Sequence, residues 1–456
     1  MTAGWRQIPL VCAVRQGRKQ RGQGMSKRTV RGIVLCIGGA LALLLLPYAA
    51  HYGSVQGQAA AQERATGAAT AASAGQRNTI RLERTPIRVI HDPHSSFSAV
   101  AVDVARDEII LEDENLGRIN VYNRLDNTPP NAALTEPKRM IGGSRAKINL
   151  NCGVYVDPFS GDIYSVNGDT TDWMTVWTRE QKGNVPASRE LQTPHRAFGV
   201  AVDEDAKELY ITIEHSPAVV VYRKTAQGRE APIRILEGDK TQLADVHGIA
   251  LDPKNQLLYV SNQGATARNS NNVGWARVLQ DRIPTWEIPL QGDSWRNFVP
   301  GSGAFLPPSI TVYPLKASGD TPPVRVIQGP LTRLNWPAHI SLDIERNELF
   351  VANTITDEIL VFRATDRGNV AAIRALKGSR TYLKNPHGVL VDVKNNELVV
   401  ANFGNHSSTI YSRNASGDTP PLRIIRAAPP DTPAPMFGNI GSLTYDTKRA
   451  ELLVPN

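Results

Sequence analysis

The sequence is poor in cysteine, in acidic residues near its N-terminus and in catalytic signatures, and each shortage removes a class of protein. Cys12, Cys36 and Cys152 are its three cysteines in 456 residues. The first two fall in or before an N-terminal leader, which leaves Cys152 alone in the folded part. No intramolecular disulfide can form there, and no paired-cysteine zinc spacing exists. The first 31 residues hold eight lysines and arginines and no acid, leaving 43 basic against 43 acidic side chains in the rest. The net charge of +8 is therefore a property of the leader. A charge-balanced remainder has no general pull on a phosphate backbone, so a nucleic-acid partner is excluded.

Residues 1–31 read as a basic leader, with Met25 as an alternative start. The apolar run 32–50 is 19 residues long, close to the roughly 20 that a bilayer-spanning helix needs. A basic start followed by an apolar run is an export signal. Pro47 and the small residues Ala59, Ala60 and Ala61 allow cleavage, so a signal peptide and a membrane-anchor helix both stay open. Either places the remainder outside the cytoplasm, touching the membrane through that segment alone. Residues 51–77, rich in Ala, Gly, Gln and Ser, read as a flexible linker.

What is there from residue 78 onward is a repeat of four short strands, a to d. Its clearest copy contains Pro386 to Asp392 as strand a, Glu397 to Asn402 as b, a strand c ending at Tyr411, and a strand d around Arg423. Short apolar blocks and alternation suit strands and not helices. The strand-a aspartate recurs at Asp103, Asp157, Asp203, Asp252, Asp343, Asp392 and Asp446. Ten residues later come Asp113, Asn167, Ile213, Asn262, Asn353, Asn402 and Asn456. Strand c ends in an aromatic, and strand d carries an arginine that reads as a bridge between neighbouring repeats. Seven a–b halves and seven d strands are out of phase, since the strand around Arg88 precedes the first strand a.

Strand a at Pro386 to Asp392 resembles the opening of an NHL repeat, and Leu258-Tyr-Val-Ser-Asn262 and Leu349-Phe-Val-Ala-Asn353 resemble the YVTN signature. The resemblance implies an all-β fold over residues 78–456: a single β-propeller of seven blades, with six as the alternative. In the seven-blade reading the N- and C-terminal strands share the last sheet, which removes its free edges. The spacing of 91 between Asp252 and Asp343, where 49 is typical, marks an insertion over 264–308. It joins strands b and c of the fourth blade and carries Trp275, Trp286 and Trp295.

The d–a and b–c connections of a propeller emerge on one face, so a site is expected there. Five residues before each strand-a aspartate lies the channel mouth, occupied by Ser98, Cys152, Phe198, His247, Ala338, His387 and Gly441. His339 sits one place later, which should turn it to the other face of its strand. NHL-like lyases use channel histidines, so the resemblance implies a transition-metal site at His247 and His387, with His339 beside them. The alternative is that each imidazole bonds a neighbouring blade's carbonyl. Cys152 reads as a nucleophile beside a histidine or as a buried apolar thiol. The tryptophans would stack on a ligand or form the loop's own core. Asp113, Glu114, Glu214 and His215 break the Asn pattern, as ligands, bases or solvated loop ends. The expected function is an exported binding or scaffold protein. It would recognise a protein or small molecule through the insertion face and need no cofactor. A metal-dependent lyase or hydrolase is the alternative, so enzymatic activity stays open.

Overall fold

The computed structural model describes residues 93–434 apart from 169–170, 215 and 265–305, together with the backbone of two short strands, Thr444–Asp446 and Glu451–Leu453. The leader, the apolar run 32–50, the linker and the strand around Arg88 lie outside the described residues. Among the described residues no helix is long and apolar enough to cross a membrane.

Six four-stranded antiparallel sheets follow one another along the chain, over residues 97–142, 151–192, 197–237, 246–328, 337–376 and 386–426. They are blades 1 to 6, each a meander a-b-c-d. The aspartate that ends strand a builds the a–b turn in every blade: its Oδ1 accepts backbone N–H groups two or three residues on, as Asp103 does from Ala105 and Arg106 and Asp392 from Asn395. The remaining four do the same. The recurrence of Asp is thus a requirement of the turn. The aromatic that ends strand c is buried in all six blades, from Tyr122 to Tyr411.

The core is divided into six apolar clusters, one for each pair of neighbouring blades. The decisive one joins blade 6 to blade 1, where Val399 and Ile410 pack with Phe97, Ile109 and Tyr122. Polar contacts repeat the message. At four blade junctions the glutamate that opens strand b is held by its own blade's strand-d arginine and by a cation from the next blade. Glu208 takes Arg234 at 2.6 Å and Lys316 of blade 4 at 2.7 Å. Glu397 of blade 6 takes Arg423 at 2.7 Å and Arg124 of blade 1 at 3.0 Å. At the other two junctions Arg189 and Arg325 reach the next blade's carbonyls at Lys224 and Ala364. The strand-d arginines do bridge blades, directly or through a shared carboxylate.

The ring therefore closes at six blades, which corrects the seven-blade reading. Blade 6 packs directly on blade 1, and the longer c–d linker of blade 1 lies along strand d of blade 6, with the Thr128 and Thr135 N–H groups donating to the Ile424 and Arg426 carbonyls. No gap is left for a sheet shared by the two chain ends. The seventh a–b half forms a two-stranded hairpin, Thr444 opposite Leu453 and Asp446 opposite Glu451. Its local pattern was legible, but it is not a blade of the ring.

Closure at six has a measurable consequence. Glu397→Ala leaves the Arg423 guanidinium without its carboxylate and Arg124 with Asp107 alone, and is expected to cost about 2 kcal/mol, discounted from the 3–5 of a fully buried pair. Glu208→Ala, at an internal junction, should cost a similar amount. Urea unfolding checks both; a neutral Glu397→Ala would mean that blades 6 and 1 do not meet.

Candidate functional site at the channel mouth

One hydrogen bond repeats around the ring and puts the d–a and b–c connections on the same face. The N–H that follows strand b donates to a carbonyl two residues before the mouth position: Glu114 to Ser96, Gly168 to Leu150, Glu214 to Arg196, Gln263 to Asp245, Thr354 to Trp336 and Phe403 to Asn385. The asparagine that ends strand b stiffens the same loop. Its Oδ1 accepts an N–H from Asn149, Ala244, Asn335 or Lys384 in blades 2, 4, 5 and 6. Asp113 does this for Ser96 and Leu116 in blade 1, so it is a loop cap and not a solvated end. Burial pushes its carboxyl up to about 6. Blade 3 has Ile213 and no such cap.

Between these loops four rings crowd the channel mouth. Phe198 of blade 3 lies 3.9 Å from the His247 ring, 5.6 Å from His339 and 5.5 Å from His387, centroid to centroid. His339 does not turn away as its one-residue offset implies. Strand a of all six blades carries a bulge at this place, in blade 5 between Pro337 and Ile340, and the extra residue resets the alternation. His339 Nε2 thus donates across the channel to the Cys152 carbonyl of blade 2 at 2.6 Å. Blades 1, 2, 3, 4 and 6 hold Ala99, Gly153, Gly199, Gly248 and Gly388 at that place. A Cβ on Gly153 would sit 2.2 Å from the Phe198 carbonyl, which is why most blades need glycine there.

His387 Nδ1 donates to the Ser98 carbonyl of blade 1 at 2.9 Å. Both imidazoles are half-buried; desolvation pushes His339 down to about 3 and His387 down to about 4, with the nearby His387 adding to the depression at His339, which leaves both neutral at pH 7. They act on carbonyls as hydroxyls do elsewhere in the ring, where Thr212 donates to the His247 carbonyl and Ser261 to that of Ala338. Cys152 donates its thiol to the Leu150 carbonyl at 3.0 Å. Burial holds its pKa well above the usual thiol range, with Glu114, Glu112 and Glu214 adding to the effect. It is a thiol, not a thiolate, at neutral pH.

Blade 3, where the cap is missing, carries the densest charge at the mouth. Glu214 Oε2 pairs with Arg196 Nη1 at 3.3 Å, and its Oε1 lies 3.7 Å from His247 Nε2. The Asp245 carboxyl lies beside Glu214, and burial pushes it up to about 6. Glu214 is therefore no solvated loop end. His247 is 4% exposed, and its Nδ1 faces the Asp245 carbonyl at 3.2 Å. Carboxylate oxygens of Glu214 and Asp245 and an imidazole nitrogen of His247 converge within 4.8 Å of one another. Farther round, Glu112 of blade 1 is fully buried, and burial holds its carboxyl up at about 8.

The structure thus gathers Cys152, His247, His339 and His387 at one level, with the His247 and His387 ring centroids 6.5 Å apart. Trp275, Trp286, Trp295 and His215 lie outside the described residues. Arg196, Asp245 and Glu112 escaped the sequence reading. The signal for the first two was positional: both stand two residues before a mouth position, beside the one blade whose cap is broken. Two shallow surface grooves, of 340 and 230 Å³, lie by the a–b turns, away from the mouth.

Sheets and junctions together define a six-bladed β-propeller, a fold consistent with a binding or scaffold role. No family model and no curated protein sequence matches the chain. It is similar to hydrazine synthase of Kuenenia stuttgartiensis at 10% identity and TM-score 0.45, covering 72% of this chain and 99% of that one. It is also similar to the β-propeller domain of Cps50 (Swd1) from Myceliophteria thermophila at 9% and 0.42, covering 75% and 89%. A chain of a nidogen–laminin complex shows 12% and 0.44, covering 73% and 93%. What stands is the propeller class; an NHL or YVTN assignment is not carried further.

Proposed function

We propose that this protein is a binding propeller that recognises a ligand or protein partner on its channel-mouth face, the face into which the 264–308 insertion opens. The supporting observation is that this face breaks the repeat where the rest of the ring obeys it. Ile213 replaces the capping residue, and Arg196, Glu214, Asp245 and His247 gather beside it. Scaffold rules are broken where function demands it. The basic leader and the apolar run 32–50 support export, so the partner belongs to the cell envelope or the exterior.

The test compares pull-down from cell-envelope extract by the full chain, by a chain lacking residues 266–306, by Arg196→Ala, and by the turn-face control Lys254→Glu. A partner captured by the full chain and the control, and lost by the other two while cooperative unfolding persists, is the expected result. Equal capture by all four overturns the reading. Fractionation with the cytoplasm overturns export.

A further inference from the structure

We propose that the groove between blades 4 and 5, on the face of the a–b turns, binds a free α-amino acid with an aliphatic side chain, held by Arg325 and Asp252. It stands independently of the binding role of the mouth. The observation behind it is a pair of charges that four junctions have and this one lacks. In blades 1, 3, 5 and 6 the residue opposite the strand-a aspartate is Glu108, Glu208, Glu348 or Glu397. Each pairs with its own strand-d arginine and with Arg179, Lys316, Arg413 or Arg124 of the next blade. In blade 4 the residue opposite Asp252 is Leu257. The residue that follows strand c of the next blade, where blades 6 and 1 have Arg413 and Arg124, is Ala364. One anion and one cation are thus missing together, and a groove of 230 Å³ lies where they would be.

The charges left behind both line the groove. Arg234 and Arg374 each place Nη1 and Nη2 on their blade's glutamate. Arg325 uses Nη2 alone, on the Tyr259 hydroxyl at 2.9 Å and the Ala364 carbonyl at 3.1 Å, and pairs with no carboxylate among the described residues. The Asp252 carboxylate accepts from Asn255 of its own turn. Asp103 and Asp343 do the like within their turns, yet also lie 3.9 and 3.7 Å from the next blade's Arg179 and Arg413. Asp252 has no such cation. A ligand with a carboxylate and an ammonium side by side restores both contacts, the carboxylate on Arg325 and the ammonium toward Asp252. A bare carboxylate would meet Asp252, and a bare amine would meet Arg325. The volume is below the roughly 300 Å³ at which drug-sized pockets begin, which suits one amino acid and excludes a peptide or glycan. Leu257, Leu342, Ile344 and Ala364 line the rest, so burial favours an aliphatic side chain.

The experiment titrates the full chain calorimetrically with leucine, with isocaproate, which lacks the ammonium, and with leucinamide, which lacks the carboxylate. Leucine is expected to half-saturate at about 1 mM or below, and each analogue to bind at least about 10-fold more weakly, in line with loss of one charged contact. Leu257→Glu/Ala364→Arg rebuilds the ion pair of the other junctions inside the groove. It should abolish leucine binding while cooperative urea unfolding persists. Arg325→Met, which removes the charge and keeps the length, should weaken leucine at least about 10-fold, and it decides by the same criterion should the double variant fail to fold. Three results overturn the assignment: isocaproate binding as tightly as leucine, full leucine binding by a folded variant, or no binding by the unmodified chain at about 10 mM leucine.

Discussion

Replacing Glu112 with glutamine is expected to make the protein more stable above pH 8, by an amount approaching 5 kcal/mol. Glu112 sits on strand b of blade 1, facing Ser165 and Asn151 of blade 2, and is fully buried. Its carboxyl is held up at about 8 against an ordinary 4.5, chiefly because burial disfavours the charge. The folded state binds this proton more tightly than the unfolded chain does. Stability is therefore unaffected below pH 4.5, falls as pH rises from 4.5 to 8, and stays reduced above that. At about 1.4 kcal/mol per unit, a shift of this size costs up to about 5 kcal/mol, an upper bound for a buried group. Glutamine keeps the shape and cannot ionise. Urea unfolding at a series of pH values checks the expectation: the two curves should coincide within about 1 kcal/mol near pH 4.5 and diverge steadily to pH 8. Parallel curves would mean that Glu112 reaches water.

Much of the fold was legible because it is repeated. Asp392 and its five counterparts were read as turn residues and are; the strand-b asparagines, the strand-c aromatics and the strand-d arginines each recur because each solves the same local problem. The number of blades was not legible in the same way. Landmarks count hairpins, and the pair around Asp446 is a real hairpin. Closure is decided elsewhere, by contacts such as Arg124 to Glu397 between residues hundreds of positions apart, and no periodicity reports them. His339 was misplaced for a local reason. Counting by twos along a strand fails at a bulge; the bulge recurs in all six blades, where Gly153, Gly199, Gly248 and Gly388 were its visible sign, but blade 5 has His339 itself in place of that glycine. The cluster in blade 3 was half legible. Ile213 and Glu214 break the pattern at visible positions, but Arg196 and Asp245 come from two different d–a connections, which only the fold brings together.

The histidines at the mouth set a second large expectation, opposite in sign to the first. His339 and His387 have pKa values depressed to about 3 and about 4 from 6.5, by burial first. The unfolded chain binds their protons more readily, so the stability they confer is complete above pH 6.5 and is lost as pH falls through their folded values. Taken alone the shifts correspond to about 5 and about 3 kcal/mol, upper bounds for two coupled groups. His339→Phe fills the same space and cannot take the proton. At pH 7 it should cost about 1–3 kcal/mol, because the Cys152 carbonyl loses its donor. As pH falls from 6.5 to 4 that cost should shrink and then reverse, since the unmodified protein alone is carrying the depressed imidazole. Asp113 and Asp245, both raised to about 6, titrate in the same interval with the opposite sign, so the difference between variant and parent is the quantity to follow. A difference that stays constant from pH 7 to pH 4 would mean that His339 titrates in the folded ring as it does in the unfolded chain. A difference that changes sign means that the folded ring keeps the His339 imidazole neutral while the unfolded chain takes up the proton.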